Sequence, residues 1–463
     1  MSESKKRSII GEVFFRISRA YVRFWHDIVY YKRIYQIGKE NVPPKGTPLI
    51  VASNHQNALN DALAVEFSMA DRPVSIFTRA DLFQKRFVGG LLRSWYLLPA
   101  FRLGMDGADA LGKNFDVFAE AGERILEGGS VMIFPEAVNQ DKRWLGEFSQ
   151  GYLRMAFDAA KKSNFETDIQ ILPMINHYSD YFHFREQMLV RFGKPISLMP
   201  YYEQYKTKPR TVQRNLNAEV RKQIEEMMLN ITDLENYEAI DYLRETYGIK
   251  YCEDCGGNPD NLADKLMSDK ALVKELMAAA QTDGEFSSAL YKDALELKAG
   301  CGLHRVGKVM YEKQLKGGGI ALRILGLVAG FPIMMAGLVP NIILLFAPTP
   351  ITNKLKAGDS HGAMFIGGVR FALNALVVIP ITYTAVFVTE GCLYNWLYAA
   401  IHTLCLPALG LFAWGYRMMY LNLRRHLRFR KLKDGAMKGF VDIKNRIFEK
   451  LDNILNKNTW KKE

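Results

Sequence analysis

Apolar positions recur at helical spacing along residues 8–33: Ile10, Val13, Phe14, Ile17, Tyr21, Phe24, Trp25 and Ile28. Arg16, Arg19, Arg23 and Lys32 lie among or beside them. The pattern predicts an amphipathic helix within 1–33, of the kind that lies in a lipid interface. A helix packed on the following domain would show the same period. From 34 to about 200 the rhythm changes. Short apolar runs at 48–52, 74–77, 131–134, 169–173 and 188–192 alternate with helical stretches. These runs lack strict alternation, as expected of strands covered on both faces, so the segment reads as α/β.

Residues 201–318 are helical in pattern, mixed in charge and poor in β-branched runs. They read as a helical linker or insert domain without a catalytic motif. The chain then turns apolar. Residues 324–353, 371–389 and 391–416 carry no Asp, Glu, Lys or Arg. Each has the roughly 20 residues that a helix needs to cross a bilayer. Pro332 and Pro340 interrupt the first of them, within the segment 319–416. This predicts a re-entrant or broken hairpin there, followed by a hairpin of two full spans that turns at Glu390–Gly391. Three full spans are the alternative.

Composition and charge sharpen this division. Hydrophobic residues make up 49% of the chain while the charged fraction stays at 24%, which fits a soluble part joined to a membrane part. The net charge is +12, and the tail 417–463 holds 14 Lys/Arg against 5 Asp/Glu. A basic tail directly after apolar segments points to anionic lipid rather than nucleic acid. The loop with Lys354 and Lys356 is basic too. By the positive-inside tendency both basic segments face the cytoplasm. The start MSESKKRSIIGEVFF has neither an unbroken apolar core nor a small-residue cleavage site, so no signal peptide is expected. Five cysteines do not make a disulfide framework. The expected result is an integral membrane protein whose catalytic part stays in the cytoplasm. Cys252, Cys255, Cys301 and His304 have pairwise zinc-ligand spacing, but the pairs are far apart and no metal site is expected.

The candidate chemistry sits in Val51-Ala-Ser-Asn-His-Gln-Asn-Ala-Leu-Asn-Asp61. An apolar strand ends in Ser-Asn-His and a helix starts near Leu59. His55 is thereby placed on a loop at a strand's carboxyl end, where α/β sheets usually hold their chemistry. A nearby carboxylate can fix the imidazole tautomer and leave the other nitrogen free as a base. On these residues alone, a histidine capping a helix beside an aspartate is an equal reading.

Three further segments follow in order: Leu98-Pro-Ala-Phe-Arg102, Val131-Met-Ile-Phe-Pro-Glu136 and Ile171-Leu-Pro173. The ordered set resembles the glycerolipid acyltransferases, the family of glycerol-3-phosphate and lysophosphatidic acid acyltransferases. The resemblance covers about 35–196 and takes in Phe148-Ser-Gln-Gly151 and Val190-Arg-Phe-Gly-Lys-Pro-Ile196. It implies a catalytic domain over 34–200 with a mixed sheet flanked by helices, and membrane helices after it. It also implies transfer of an acyl group from acyl-CoA or acyl carrier protein, without a cofactor, to a glycerol-phosphate hydroxyl. His55 would be the base and Asp61 its orienting partner. Arg102 and Glu136, with Asn54, Phe134 and Pro135, would hold the acceptor.

Two departures stand out. The usual spacing puts four residues between histidine and aspartate, which selects Asn60; here the carboxylate follows at Asp61. Ala137-Val138-Asn139 stands where the family has Gly-Thr-Arg or similar, which leaves the acceptor open. Another lysolipid acceptor, or a scaffold without catalysis, are the rival readings.

Overall fold

The computed structural model describes residues 9–69, 72–101, 107, 109–136, 142–312, 314–357 and 365–455. Two compact units are present: Met1–Met228 with Thr352–Ala372, and Leu229–Ile351 with Leu373–Glu463.

Among the described residues, the first unit is built on one mixed sheet of eight strands. In chain order these are β1 (Arg33–Ile37), β2 (Leu49–Ser53), β3 (Val74–Arg79), β4 (Leu97–Ala100), β5 (Ser130–Ile133), β6 (Gln170–Tyr178), β7 (Gln187–Phe192) and β8 (Ile196–Ser197). Their spatial order is β1-β7-β6-β2-β5-β3-β4, with β8 beside the start of β6. Strands β2, β3, β4 and β5 run parallel, and β2 is parallel to β6. Strands β7 and β8 run antiparallel to β6. The helices that precede Met228 in this unit are α1 (Ile9–Arg23), α2 (Leu59–Ser68), α3 (Arg86–Ser94), α4 (Ala110–Leu126), α5 (Gly151–Lys162), α6 (Tyr202–Thr207) and α7 (Pro209–Met227). Every residue of β2 is buried, so its unbroken apolar run is the consequence of cover on both faces.

The sequence ends the strand at Pro173, because proline has no N–H to give to a ladder. The structure carries β6 five residues further, to Tyr178. The Pro173 carbonyl accepts from Gly193 N at 2.7 Å on the β7/β8 edge. The missing N–H would point to that same edge, and there β8 pairs only with Gln170–Ile171 while β7 pairs only from Met174 onward. Proline therefore stands in a gap between two partners and breaks no bond.

The second unit begins with α8 (Tyr237–Asp254), α9 (Leu262–Thr282) and α10 (Gly284–Leu303). The long apolar helices are α11 (Gly317–Phe346), α14 (Ile379–Leu393) and α15 (Trp396–Leu432), followed by α16 (Lys438–Ile454). Between α11 and α14 the chain forms α12 (Thr349–Ala357) and α13 (Phe365–Leu373). Most of that connection belongs to the first unit. Among the described residues, three helical stretches are long and apolar enough to cross a membrane: Gly317–Lys354, Ile366–Leu393 and Trp396–Leu432.

Helix α11 is continuous through Pro332 and Pro340. This corrects the expected break: each proline removes one donor, and a helix packed against neighbours tolerates that loss. Helices α11 and α15 are antiparallel. Arg323 bonds Asn422, and Asn341 Nδ2 reaches the Leu406 carbonyl at 3.3 Å. The start of α11 and the end of α15 therefore lie at one end. There α16 packs on α8 and α10: Arg446 pairs with Asp293 at 2.8 Å, and Tyr247 donates to Asp452 at 2.8 Å.

Close approach of α11 and α15 depends on glycine. A Cβ at Gly337 would sit 2.2 Å from the Leu409 carbonyl oxygen. Gly337→Val should push the helices apart and cost roughly 1–3 kcal/mol, as overpacking does. The expected result is a lower thermal midpoint of the purified protein in detergent; an unchanged midpoint would contradict this packing.

Candidate active site

His55 follows the last residues of β2 and precedes α2, on a loop beyond the carboxyl ends of the parallel strands. Its Nδ1 lies 3.0 Å from Asp61 Oδ2. The same oxygen accepts from the main-chain N–H groups of Gln56 at 2.9 Å and Asn57 at 2.7 Å. Tyr178 donates its hydroxyl to the other oxygen, Oδ1, at 2.7 Å. Asp61 is fully buried, and these four donors are what make a buried carboxylate tolerable there. With Nδ1 donating to Asp61, the Nε2 lone pair is the free basic position of the ring. Among the described residues Nε2 has no hydrogen-bond partner, and the His55 side chain is 20% exposed.

Asn60 does not reach the imidazole. It is buried and its Nδ2 donates to Asn57 Oδ1 at 3.3 Å. The extra residue between histidine and aspartate is taken up at Ala58, whose φ of 44° lies in the region that favours glycine. That turn brings Asp61, rather than Asn60, under the ring.

Phe134 stacks flat on His55, with centroids 3.9 Å apart and planes at 17°. Pro135 is buried, and its carbonyl accepts from Ser149 N at 2.8 Å, which anchors the Phe148-Ser-Gln-Gly151 stretch. Glu136 is buried, and main-chain donors occupy both oxygens. His55 N donates to Oε1 at 2.9 Å and Gly146 N to Oε2 at 2.7 Å. The carboxylate thus braces the histidine's backbone. Burial pushes its pKa up to about 7, against the pull of those two N–H groups and of His55.

Asn54, expected to contact the acceptor, is buried instead. Its amide accepts from Asn176 N at 2.8 Å and donates to the Asn176 carbonyl at 3.1 Å, stitching the loop to β6. A buried amide whose oxygen and nitrogen are both engaged is a fastener rather than a ligand contact. Arg102 and the 137–139 segment lie outside the described residues. Among the described residues no group of three potential metal ligands converges, and Cys252 and Cys301 are buried separately in the helical unit.

The sequence reading missed Tyr178, which anchors Asp61, and Tyr181, which donates to Gln56 Oε1 at 2.7 Å. Both follow Pro173, where the strand had been ended. It also missed that 365–373 touches this loop. A Cβ at Gly368 would lie 3.2 Å from the Asn57 carbonyl oxygen, and Tyr30 donates to the Gly367 carbonyl at 3.2 Å.

Residues 33–176 match the protein-family model described as Acyltransferase. This span holds all four motifs, so residues 33–176 are similar to acyltransferase domains, as the order of the motifs implies. Among solved structures, the 1-acyl-sn-glycerophosphate (LPA) acyltransferase PlsC from Thermotoga maritima is similar at 12% identity, with a TM-score of 0.34 over 48% of this chain and 83% of that one. No curated protein matches.

Glu136 sets a pH dependence. Its folded-state pKa is raised above the unfolded value, so folding is favoured at low pH and that advantage is lost as pH rises through about 7. The loss is roughly 3 kcal/mol by linkage. In Glu136→Gln the fall in thermal midpoint between pH 5 and pH 8.5 should be shallower than in wild type. Parallel pH profiles for the two proteins would contradict this origin.

Proposed function

We propose that the acyltransferase domain moves a fatty acyl group from an acyl thioester to a hydroxyl of a glycerol phosphate, as a membrane-bound step in phospholipid synthesis. The observation that carries this reading is the His55–Asp61 pair, with Nε2 of a partly exposed imidazole left free on the loop beyond β2.

In this reading the acceptor hydroxyl gives its proton to Nε2 as its oxygen attacks the thioester carbonyl. A hydroxyl is a weak nucleophile at neutral pH, and a positioned base removes that obstacle. The tetrahedral intermediate collapses, the carbon–sulfur bond breaks, and the departing thiolate takes the proton back from the imidazolium. Asp61 orients the ring and stabilises the imidazolium between the two proton transfers. Glu136 and Phe134 hold the histidine's main chain and ring face. No metal or cofactor is needed for this chemistry; the donor is acyl-CoA or acyl carrier protein.

The acceptor's phosphate is assigned to Arg102, by resemblance and because a guanidinium pairs bidentately with phosphate. A glycerol 3-phosphate or a 1-acylglycerol 3-phosphate is the favoured acceptor. The three apolar helices support an integral membrane protein. The basic flanks support a catalytic domain on the cytoplasmic side.

Purified wild type and His55→Ala should be assayed with acyl-CoA against glycerol 3-phosphate, dihydroxyacetone phosphate and lysophosphatidate. The expected result is turnover with at least one of these acceptors and a loss of about a thousandfold in the variant, the scale of general-base catalysis. Equal activity of the two proteins with every acceptor would overturn the mechanism.

A further inference from the structure

The helical unit holds a cleft of about 450 Å³ that the acyl-transfer chemistry does not use. Lys298, Arg305, Lys308 and Arg425 line it, against a single carboxylate, Glu245. Lys298 pairs with Glu238 at 2.7 Å and Lys308 lies 3.6 Å from Glu245. Among the described residues Arg305 and Arg425 have no carboxylate within ion-pair distance. They come from different elements: Arg305 follows α10, and Arg425 lies on α15. Both side chains are exposed, so an anion entering the cleft can pair with two guanidinium groups that no carboxylate neutralises. The wall beside them is polar: Tyr242 and Tyr311 hydroxyls meet at 2.7 Å. Gly302 and Gly307 also line the cleft, and nothing lies within 4 Å of a Cβ placed at Gly302, so a ligand can approach the main chain there.

The depth of the cleft selects the anion's source. Arg323 is the last charge before the apolar run of α11, and it bonds Asn422 of α15. The apolar run of α11 therefore ends at that level, while that of α15 ends five residues earlier, before Arg417. Arg425 stands three residues further along α15, roughly 5 Å at 1.5 Å per residue. The headgroup layer extends about 5–8 Å beyond the hydrocarbon. An arginine at that depth meets lipid phosphate, and its planar donors match two phosphate oxygens.

We propose that this cleft is a binding site for the phosphate of an anionic membrane lipid, held between Arg305 and Arg425. The site does not depend on the acyltransferase assignment. It differs from the diffuse attraction of the basic tail in having a fixed place and two named ligating side chains.

The full-length protein in detergent, with added phosphatidate or phosphatidylcholine, can be examined by native mass spectrometry. Wild type should retain phosphatidate over phosphatidylcholine. The Arg305→Gln/Arg425→Gln variant should retain on the order of tenfold less phosphatidate, with its lipid-free thermal midpoint unchanged. Arg424→Gln/Arg428→Gln removes the same charge from exposed positions of α15 outside the cleft, and should retain phosphatidate as wild type does. Equal losses in the two double variants would mean diffuse electrostatics and would overturn the site. A parallel titration with inorganic phosphate separates the sources. Stabilisation by millimolar phosphate, lost in Arg305→Gln/Arg425→Gln and unaccompanied by any phosphatidate preference, would overturn the lipid assignment.

Discussion

The candidate site depends on one buried carboxylate. Asp61 accepts from an imidazole, two main-chain N–H groups and a tyrosine hydroxyl. Removing any of these leaves a buried polar group short of a partner, at a cost of about 1–3 kcal/mol. The four donors come from the loop after β2 and from the far end of β6. Asp61 itself sits in the first turn of α2. One side chain thus fastens loop, helix and sheet, and the orientation of His55 is a by-product of that fastening. Glu136 works from the other side by taking the His55 N–H, and Phe134 closes the ring's face.

The site was legible where chemistry and order coincide. His55, Asp61 and Glu136 could be named from residue type, strand-end placement and motif sequence, and the fold brings the three together. The choice between Asp61 and Asn60 was not decidable by spacing. It rests on a backbone torsion at Ala58, and no residue-type pattern announces an alanine at positive φ. Tyr178 was hidden for a different reason. A proline read as a strand terminator concealed the last five residues of β6, and only the pairing of β7 and β8 on that edge shows why Pro173 is harmless. Asn54, a polar residue beside His55, serves the fold, because its amide bonds the Asn176 main chain.

The apolar part was legible in amount and less so in shape. Charge-free runs mark the helices directly, since hydrocarbon excludes charge. The course of α11 through two prolines depends on neighbours, and glycine-mediated contact with α15 supplies them. The antiparallel pair leaves the insert helices and α16 at one end of the helical unit. Arg305 and Arg425 line one cleft there although 120 positions separate them in the chain, a separation that hides the cleft from any local reading.

The central claim is that Asp61, through His55 Nδ1, makes Nε2 the base. Asp61→Asn and Asn60→Ala, compared with wild type under saturating acyl donor, test it most directly. The account predicts that Asp61→Asn lowers kcat by on the order of a hundredfold or more while KM for the acceptor changes little. It predicts that Asn60→Ala stays within a few-fold of wild type. A near-normal kcat in Asp61→Asn, with the large loss appearing in Asn60→Ala, would contradict it.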